Sequence, residues 1–201
     1  ALRAVGNLSC RACESGSPHA GAYVSAVLPL LLDRGVGARD PAASAASLSY
    51  LLRIVRGASA DALRAHAVAV VTALIRFTSS LEPQALQYLQ LNSARLQLSA
   101  EELEATRMQL ARSSPVNDAL QAVTPMAVAA IASSDADARA ASAELATVVR
   151  TGVGMATRAT AAEFIVTLCT TAGAREAMAP HASRLVAALA ANVEDSSRTV
   201  R

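Results

Sequence analysis

Lysine is missing altogether: all 18 basic residues are arginine. They face 16 acids, for a net charge of +2, and are spread along the chain without runs. Nucleic-acid binders concentrate basic charge on one face, and no such stripe is visible. A lysine-free stretch also offers no ubiquitin acceptor. A GC-biased genome would raise Ala and Arg together at the expense of Lys, and that single bias accounts for the whole pattern. Tryptophan is absent and aromatics make up 2% of the residues, so the core cannot be built around large rings. Cysteine is scarce: Cys10, Cys13 and Cys169 give an odd count and no disulfide framework, which suits a reducing compartment. No apolar run approaches the ~20 residues that cross a bilayer, and no basic-then-apolar signal peptide is seen.

What is present is alanine, roughly a quarter of the 201 residues, within a hydrophobic fraction of 53%. Ala is the best helix former because it loses no side-chain entropy on ordering. An Ala-rich chain studded with Leu and Val buries surface by close helix–helix approach, which predicts an all-α fold. The opening "ALRAVGNL" is already in helical register and lacks an initiator Met, so we expect a segment of something longer.

Helical spacing recurs throughout. Leu63, Ala67, Val70, Val71, Leu74 and Phe77 form one apolar stripe, and Met178, Ala182, Leu185, Val186, Leu189 and Val193 another. Leu48, Leu51, Leu52 and Val55 make a third, Ala161, Phe164, Ile165 and Leu168 a fourth. A helix with one apolar face needs neighbours. The stripes also repeat. "LRAHAVAVVTAL" (Leu63–Leu74) lies over "MAPHASRLVAAL" (Met178–Leu189) at a spacing of 115, and "SAVLPLL" (Ser25–Leu31) over "AVAVVTAL" at 43. HEAT and armadillo units span ~40–47 residues, so the spacings fit one unit and nearly three. We therefore expect a right-handed α-solenoid of about four HEAT/armadillo-like helix pairs.

Breaks are expected at Gly16-Ser17-Pro18, Asp33–Pro41, Arg56–Asp61, Gly152–Gly154 and Thr170–Glu176, with helix starts at Asp40-Pro41 and Asp61. Leu81–Pro115 is too long for one repeat helix and its turn. Ser99-x-x-Glu102 is a capping box, predicting a second helix that starts there and stops near Ser113-Ser114-Pro115. The organisation is thus helix pairs over 1–80, an inserted helical segment over 81–115, and helix pairs over 116–201.

Gly152-Val153-Gly154 poses the functional question, because glycine pairs before a helix can cradle a phosphate. A dinucleotide fingerprint needs a preceding strand and a third Gly, but Ala141–Arg150 is helical and position 157 is Thr. A P-loop needs a lysine the chain does not have. The pair reads as a helix stop, with φ > 0 before the chain reverses. Cys10-x-x-Cys13 has His19 as a third ligand at most and no fourth, so two small residues one turn apart on a helix is the reading taken. His66 and His181 share one repeat position, which points to packing or helix-end bonding. Glu101, Glu102 and Glu104 suit a helix N-terminus, and Glu194-Asp195 a solvated face. No G-x-S-x-G, H-E-x-x-H or Asp-rich metal loop appears.

Several blocks resemble one family. "VVRTGVGMATRATAAEFIVTLCT", "APHASRLVAALAANVEDSSRTVR", "SLEPQALQYLQL" (Ser80–Leu91), "ARSSPVNDAL" (Ala111–Leu120) and "AVLPLLLDRG" follow, in order and spacing, the C-terminal solenoid of the extracellular-mutant (ECM) HEAT-repeat family of proteasome adapters and scaffolds. Val116–Arg150 is several residues longer than the family pattern, and Ala and Arg replace much of its Lys, Ser and larger apolar content. The resemblance implies a non-catalytic scaffold that binds the 26S proteasome and helps tether regulatory particle to core particle. It implies roles in proteasome assembly and quality control, in cytoplasm and nucleus. No catalytic, cofactor-binding or metal-ligating residue is expected, and no nucleic acid, membrane insertion or small-molecule substrate.

Two rivals stand beside it. One is a HEAT adaptor of another complex: a transport receptor, a phosphatase scaffold or a microtubule-binding array. The last would want lysine-rich turns and an exposed aromatic. The other is a small enzyme built on Cys169, His181 and a nearby acid.

Overall fold

The computed structural model describes residues 2–78, 84–93, 95–152 and 154–191. Among the described residues every regular element is helical and none is a strand. The expected all-α solenoid of HEAT-type helices is what forms. Val153, Val193, Glu194-Asp195 and the Leu81–Pro83 part of the inserted segment lie outside the described residues.

The chain opens with α1 (Leu2–Glu14) and α2 (Ala20–Leu30), which runs on into a π-helical turn, Leu31–Val36. Helix therefore continues into the expected Asp33–Pro41 break, and only residues 37–40 form the connection. α3 (Pro41–Gly57) starts where expected: the Asp40 carboxylate accepts from the amides of Ala42 and Ala43, with Pro41 at the first helical position. α4 (Ala60–Arg64) starts differently. Ser59, not Asp61, is its cap, because the Ser59 hydroxyl accepts from the Ala62 amide while Asp61 sits in the first turn.

The stripe from Leu63 to Phe77 is not one helix. After α4 the chain turns at His66, whose amide donates to the Leu63 carbonyl at 2.9 Å, and α5 (Ala67–Phe77) follows. The repeat partner breaks in the same place. α11 (Ala172–Met178) passes through a 3-10 turn, Ala179–His181, into α12 (Ala182–Ala190). The backbone agrees closely, φ −118°, ψ 1° at His66 and φ −103°, ψ 0° at His181. The sequence repeat is thus a repeated kink as well as a repeated stripe.

α6 (Gln84–Leu91) and α7 (Ala100–Arg112), which fall between α5 and α8 (Pro115–Ser133) in sequence, pack on each other. The capping box forms at α7: Ser99 Oγ accepts from the Glu102 amide, and the Glu102 carboxylate accepts from the Ser99 amide at 2.8 Å. Those bonds to Ser99 hold the Glu102 carboxyl below the usual carboxylate range. A depressed carboxylate adds stability above its unfolded pKa, and this is lost as pH falls through the folded value.

α9 (Asp135–Thr151) follows α8 after the single residue Ser134, whose hydroxyl caps it through the Asp137 amide. α10 (Met155–Thr170) is joined to α11 by Thr171 alone, so the expected break over Thr170–Glu176 shrinks to one residue.

The helices pack on others from one to five places away in chain order. α1 meets α2 and α3, α2 meets α4, and α3 meets α8. α5 packs on α8, α9 and α10; α8 on α9 and α11; α9 on α10 and α12. The α5–α8 contact is the most extensive, although α6 and α7 separate the two helices in sequence. Leu63 of α4 and Ala67, Val70, Val71 and Leu74 of α5 are all buried. So are Leu48, Leu51 and Val55 of α3, and Ala161, Phe164, Ile165 and Leu168 of α10.

The last stripe departs from expectation. Met178 and Leu185 are buried, but Ala182 is exposed and Val186 is 62% exposed, whereas its repeat partner Val71 is fully buried. α5 is enclosed by three helices; α12 leans chiefly on α9. At the other end, Leu8 of α1 is 61% exposed. An uncovered apolar face at each end of a repeat stack favours self-association. The chain is expected to form concentration-dependent oligomers in sedimentation velocity, and Val186→Glu to weaken them. A species that stays monomeric at high concentration contradicts this reading.

The two glycines after α9 have different reasons. Gly154 precedes α10 at φ 90°, ψ 147°, a region open essentially to glycine alone. Gly152 has φ −58°, so the expected positive φ is not found there. Its constraint is space: its amide donates to the Val148 carbonyl at 2.7 Å, and a Cβ would lie 2.4 Å from that oxygen. Gly154→Ala is expected to lower the unfolding free energy by about 1–3 kcal/mol, measured by urea denaturation followed by helical circular dichroism. An unchanged midpoint would overturn that account of the turn.

Candidate functional site

Cys10 and Cys13 lie on α1 and are buried, the Cys10 thiol donating to the Tyr50 carbonyl at 3.7 Å. Burial pushes both thiols above the ordinary cysteine pKa, and for Cys10 the nearby Arg53 only partly offsets it. Neither is a ready thiolate. His19 is exposed at the start of α2, at φ −95°, ψ 2°. All three histidines therefore occupy the residue just before a helix, in a similar backbone conformation and without a side-chain capping bond. At His66 and His181 this conformation is the shared kink of the repeat. Among the described residues, no group of three or more His, Cys, Asp or Glu is placed to hold a metal. Nor is any helix long and apolar enough to cross a membrane.

His181 Nε2 is buried, lacks a hydrogen-bond partner and stands 3.9 Å from Asp135 Oδ1. Cys169 is exposed, and no hydrogen bond joins it to His181. The Asp135 carboxylate itself pairs with Arg139 at 3.1 Å. The acid and base of the rival enzyme come near each other, but the nucleophile does not join them. At the glycine turn, the helical α9 stands where a dinucleotide fold would need a strand.

Arginine does structural work between elements. Arg53 of α3 meets Glu14 of α1 at 2.8 Å, Arg76 of α5 meets Glu144 of α9, and Arg112 of α7 meets Glu163 of α10 at 3.0 Å. The last pair fastens the α6–α7 excursion to the stack. All three are substantially exposed, so each fixes register more than it stabilises.

The surfaces suited to contact gather around that excursion. Tyr88 and Leu91, one turn apart on α6, are 54% and 86% exposed, with Leu96 beyond them. Behind them, between α3 and α7, runs a groove of about 650 Å³. Its walls include Leu48, Leu52, Arg53 and Arg56 from α3, and Arg107 and Leu110 from α7. Three arginines and no carboxylate are among its described lining residues. Sequence reasoning missed this groove. Its two walls are some fifty residues apart in the chain and share no motif.

The geometry can be set beside known proteins. The family model described as "Proteasome adapter and scaffold protein ECM29, HEAT-repeat domain" matches residues 63–201. Over 206 aligned residues the chain is 28% identical to the Homo sapiens "Proteasome adapter and scaffold protein ECM29", with 100% of the chain covered. It spans 10% of the length of that relative. No solved structure matches it. The structure is a helical stack and the family model covers well over half of it, so the chain belongs to the ECM29 family of HEAT-repeat proteins.

Proposed function

We propose that the chain is a non-catalytic scaffold segment that attaches to the 26S proteasome and helps tether the regulatory particle to the core particle. It would take part in proteasome assembly and quality control, in cytoplasm and nucleus. The observation that carries this reading is the similarity, along the entire chain, to a human protein named as a proteasome adapter and scaffold. The architecture supports it. A row of helices that each lean on near neighbours presents long faces with many weak contacts, and such faces suit bridging two large bodies. Neither nucleic acid, membrane insertion nor a small-molecule substrate has a part in this reading.

The α6–α7 excursion is the part we assign to partner contact, because it carries exposed Tyr88 and Leu91 away from the main stack. Aromatic and large apolar side chains are the usual anchors of an interface. Two experiments address the reading. First, the full-length protein should be purified with its partners and crosslinked through carboxylates, since residues 1–201 hold no lysine for amine-reactive reagents. Crosslinks from 1–201 to proteasome subunits are expected, and their consistent absence would contradict attachment by this segment. Second, replacing residues 84–112, the whole of α6 and α7, with a short linker is expected to reduce proteasome co-purification severalfold. Full recovery would remove the excursion from the contact surface.

A further inference from the structure

A second groove runs between the π-helical turn, α5 and α9. We infer that it receives a short basic–apolar segment of a partner protein, with apolar side chains on its aliphatic ground and cations on Asp33 and Asp137. This goes beyond the scaffold reading and does not rest on it.

Size and lining come first. The groove holds about 370 Å³, at the small end of the range for ligand sites. It takes a few side chains and excludes a folded domain. Leu32 from the π-helical turn and Val68, Ala69 and Ala73 from α5 give it aliphatic ground. Ala69 and Ala73 stand one turn apart, so an incoming main chain meets little side-chain bulk there.

Charge selects the occupant. Arg76 also lines the groove, but it is paired with Glu144 across from it on α9. Among the described residues neither Asp33 nor Asp137 forms an ion pair. Arg64, in the depression next to Asp137, is paired with Asp61 at 3.1 Å. Arg34 follows Asp33 directly, and side chains at successive helical positions do not face each other. The residues after α5, 79–83, contain no basic side chain.

The placement of Asp33 is the telling feature. Asp137 lies in the first turn of α9, where a carboxylate suits the helix dipole. Asp33 lies among the last four residues of the continuous helical run from Ala20 to Val36, where a carboxylate opposes the dipole. Gly37, just past that helix end, lines the same groove, so the negative end of the helix adds to the field of Asp33. The run ends in π-helical geometry, which is rare and frequent at functional sites. A local cost of this kind, with no cation of the chain to offset it, points to a function. A cation carried by a partner supplies the offset. A free polyamine has the charge but nothing to lay on Leu32 and Val68, which favours a peptide segment.

The test uses fluorescence anisotropy on the 201-residue chain. The probe is a fluorescein-labelled dodecapeptide with two leucines flanked by lysines. Companions carry glutamine or glutamate in place of lysine, or serine in place of leucine, and spermidine serves as the non-peptide polycation. The lysine–leucine peptide is expected to bind about tenfold tighter than each companion and than spermidine, with affinity falling as salt rises. A photo-crosslinking residue beside its leucines should label the π-helical turn, α5 and α9. Asp33→Asn with Asp137→Asn should weaken binding about tenfold, whereas Glu176→Gln on α11 should leave it unchanged. Asp33→Asn alone should weaken binding while raising the thermal midpoint by about 1–3 °C, a combination that damage to the fold cannot produce. Equal binding of the lysine and glutamate peptides, spermidine binding as tightly as the peptide, crosslinks elsewhere, or a lowered midpoint in Asp33→Asn overturns the inference.

Discussion

The contact between α5 and α8 holds the molecule together. α5 contributes Val70, Val71, Leu74 and Ile75, and α8 contributes Val116, Ala119, Val123 and Ala127, all buried. Side chains of this size bring roughly 1.5–3 kcal/mol each on full burial for Val, Leu and Ile. Because α8 also packs on α3 and α4 and on α9 and α11, the seam joins the N-terminal and C-terminal helices. Alanine makes it possible. Small side chains on both helices let the backbones approach closely, and the near absence of aromatic rings follows from the same geometry.

The seam also explains the place of α6 and α7. The chain leaves the stack after α5 and returns at α8 to a partner already packed, so the excursion can project without interrupting the core. Its ties are lateral: Arg112 to Glu163, and the packing of α7 on α8 and α10. Projection leaves Tyr88 and Leu91 exposed and opens the groove against α3. The features suited to partner contact are thus a consequence of how the α6–α7 excursion is accommodated.

Much of this was legible in the sequence where the signal is local. The stripes on α3, α5 and α10 are buried as spaced, save the half-buried Leu52 and Phe77, and Asp40-Pro41 and Ser99-x-x-Glu102 cap the helices they precede. The repeat of His66 on His181 marked a shared backbone hinge, though not that the hinge splits each stripe into two helices. What the residues could not tell was how many neighbours each helix has. Val71 and Val186 occupy equivalent repeat positions, yet one is buried and the other open, because only α5 has helices on three sides. Ser59 against Asp61 is a smaller case: both can cap, and backbone geometry chose the residue two places earlier. The groove was invisible for the same reason as Val186, since tertiary neighbours create it.

Native-state hydrogen exchange resolved along the chain tests the central claim most directly, because protection reports which elements open last. Amides of α5, α8 and α9 should be the slowest to exchange and should lose protection together. α1, α12 and the α6–α7 excursion should open at lower cost. Protection that is uniform over the chain, or greatest in α6–α7, would contradict a molecule assembled around the α5–α8 seam.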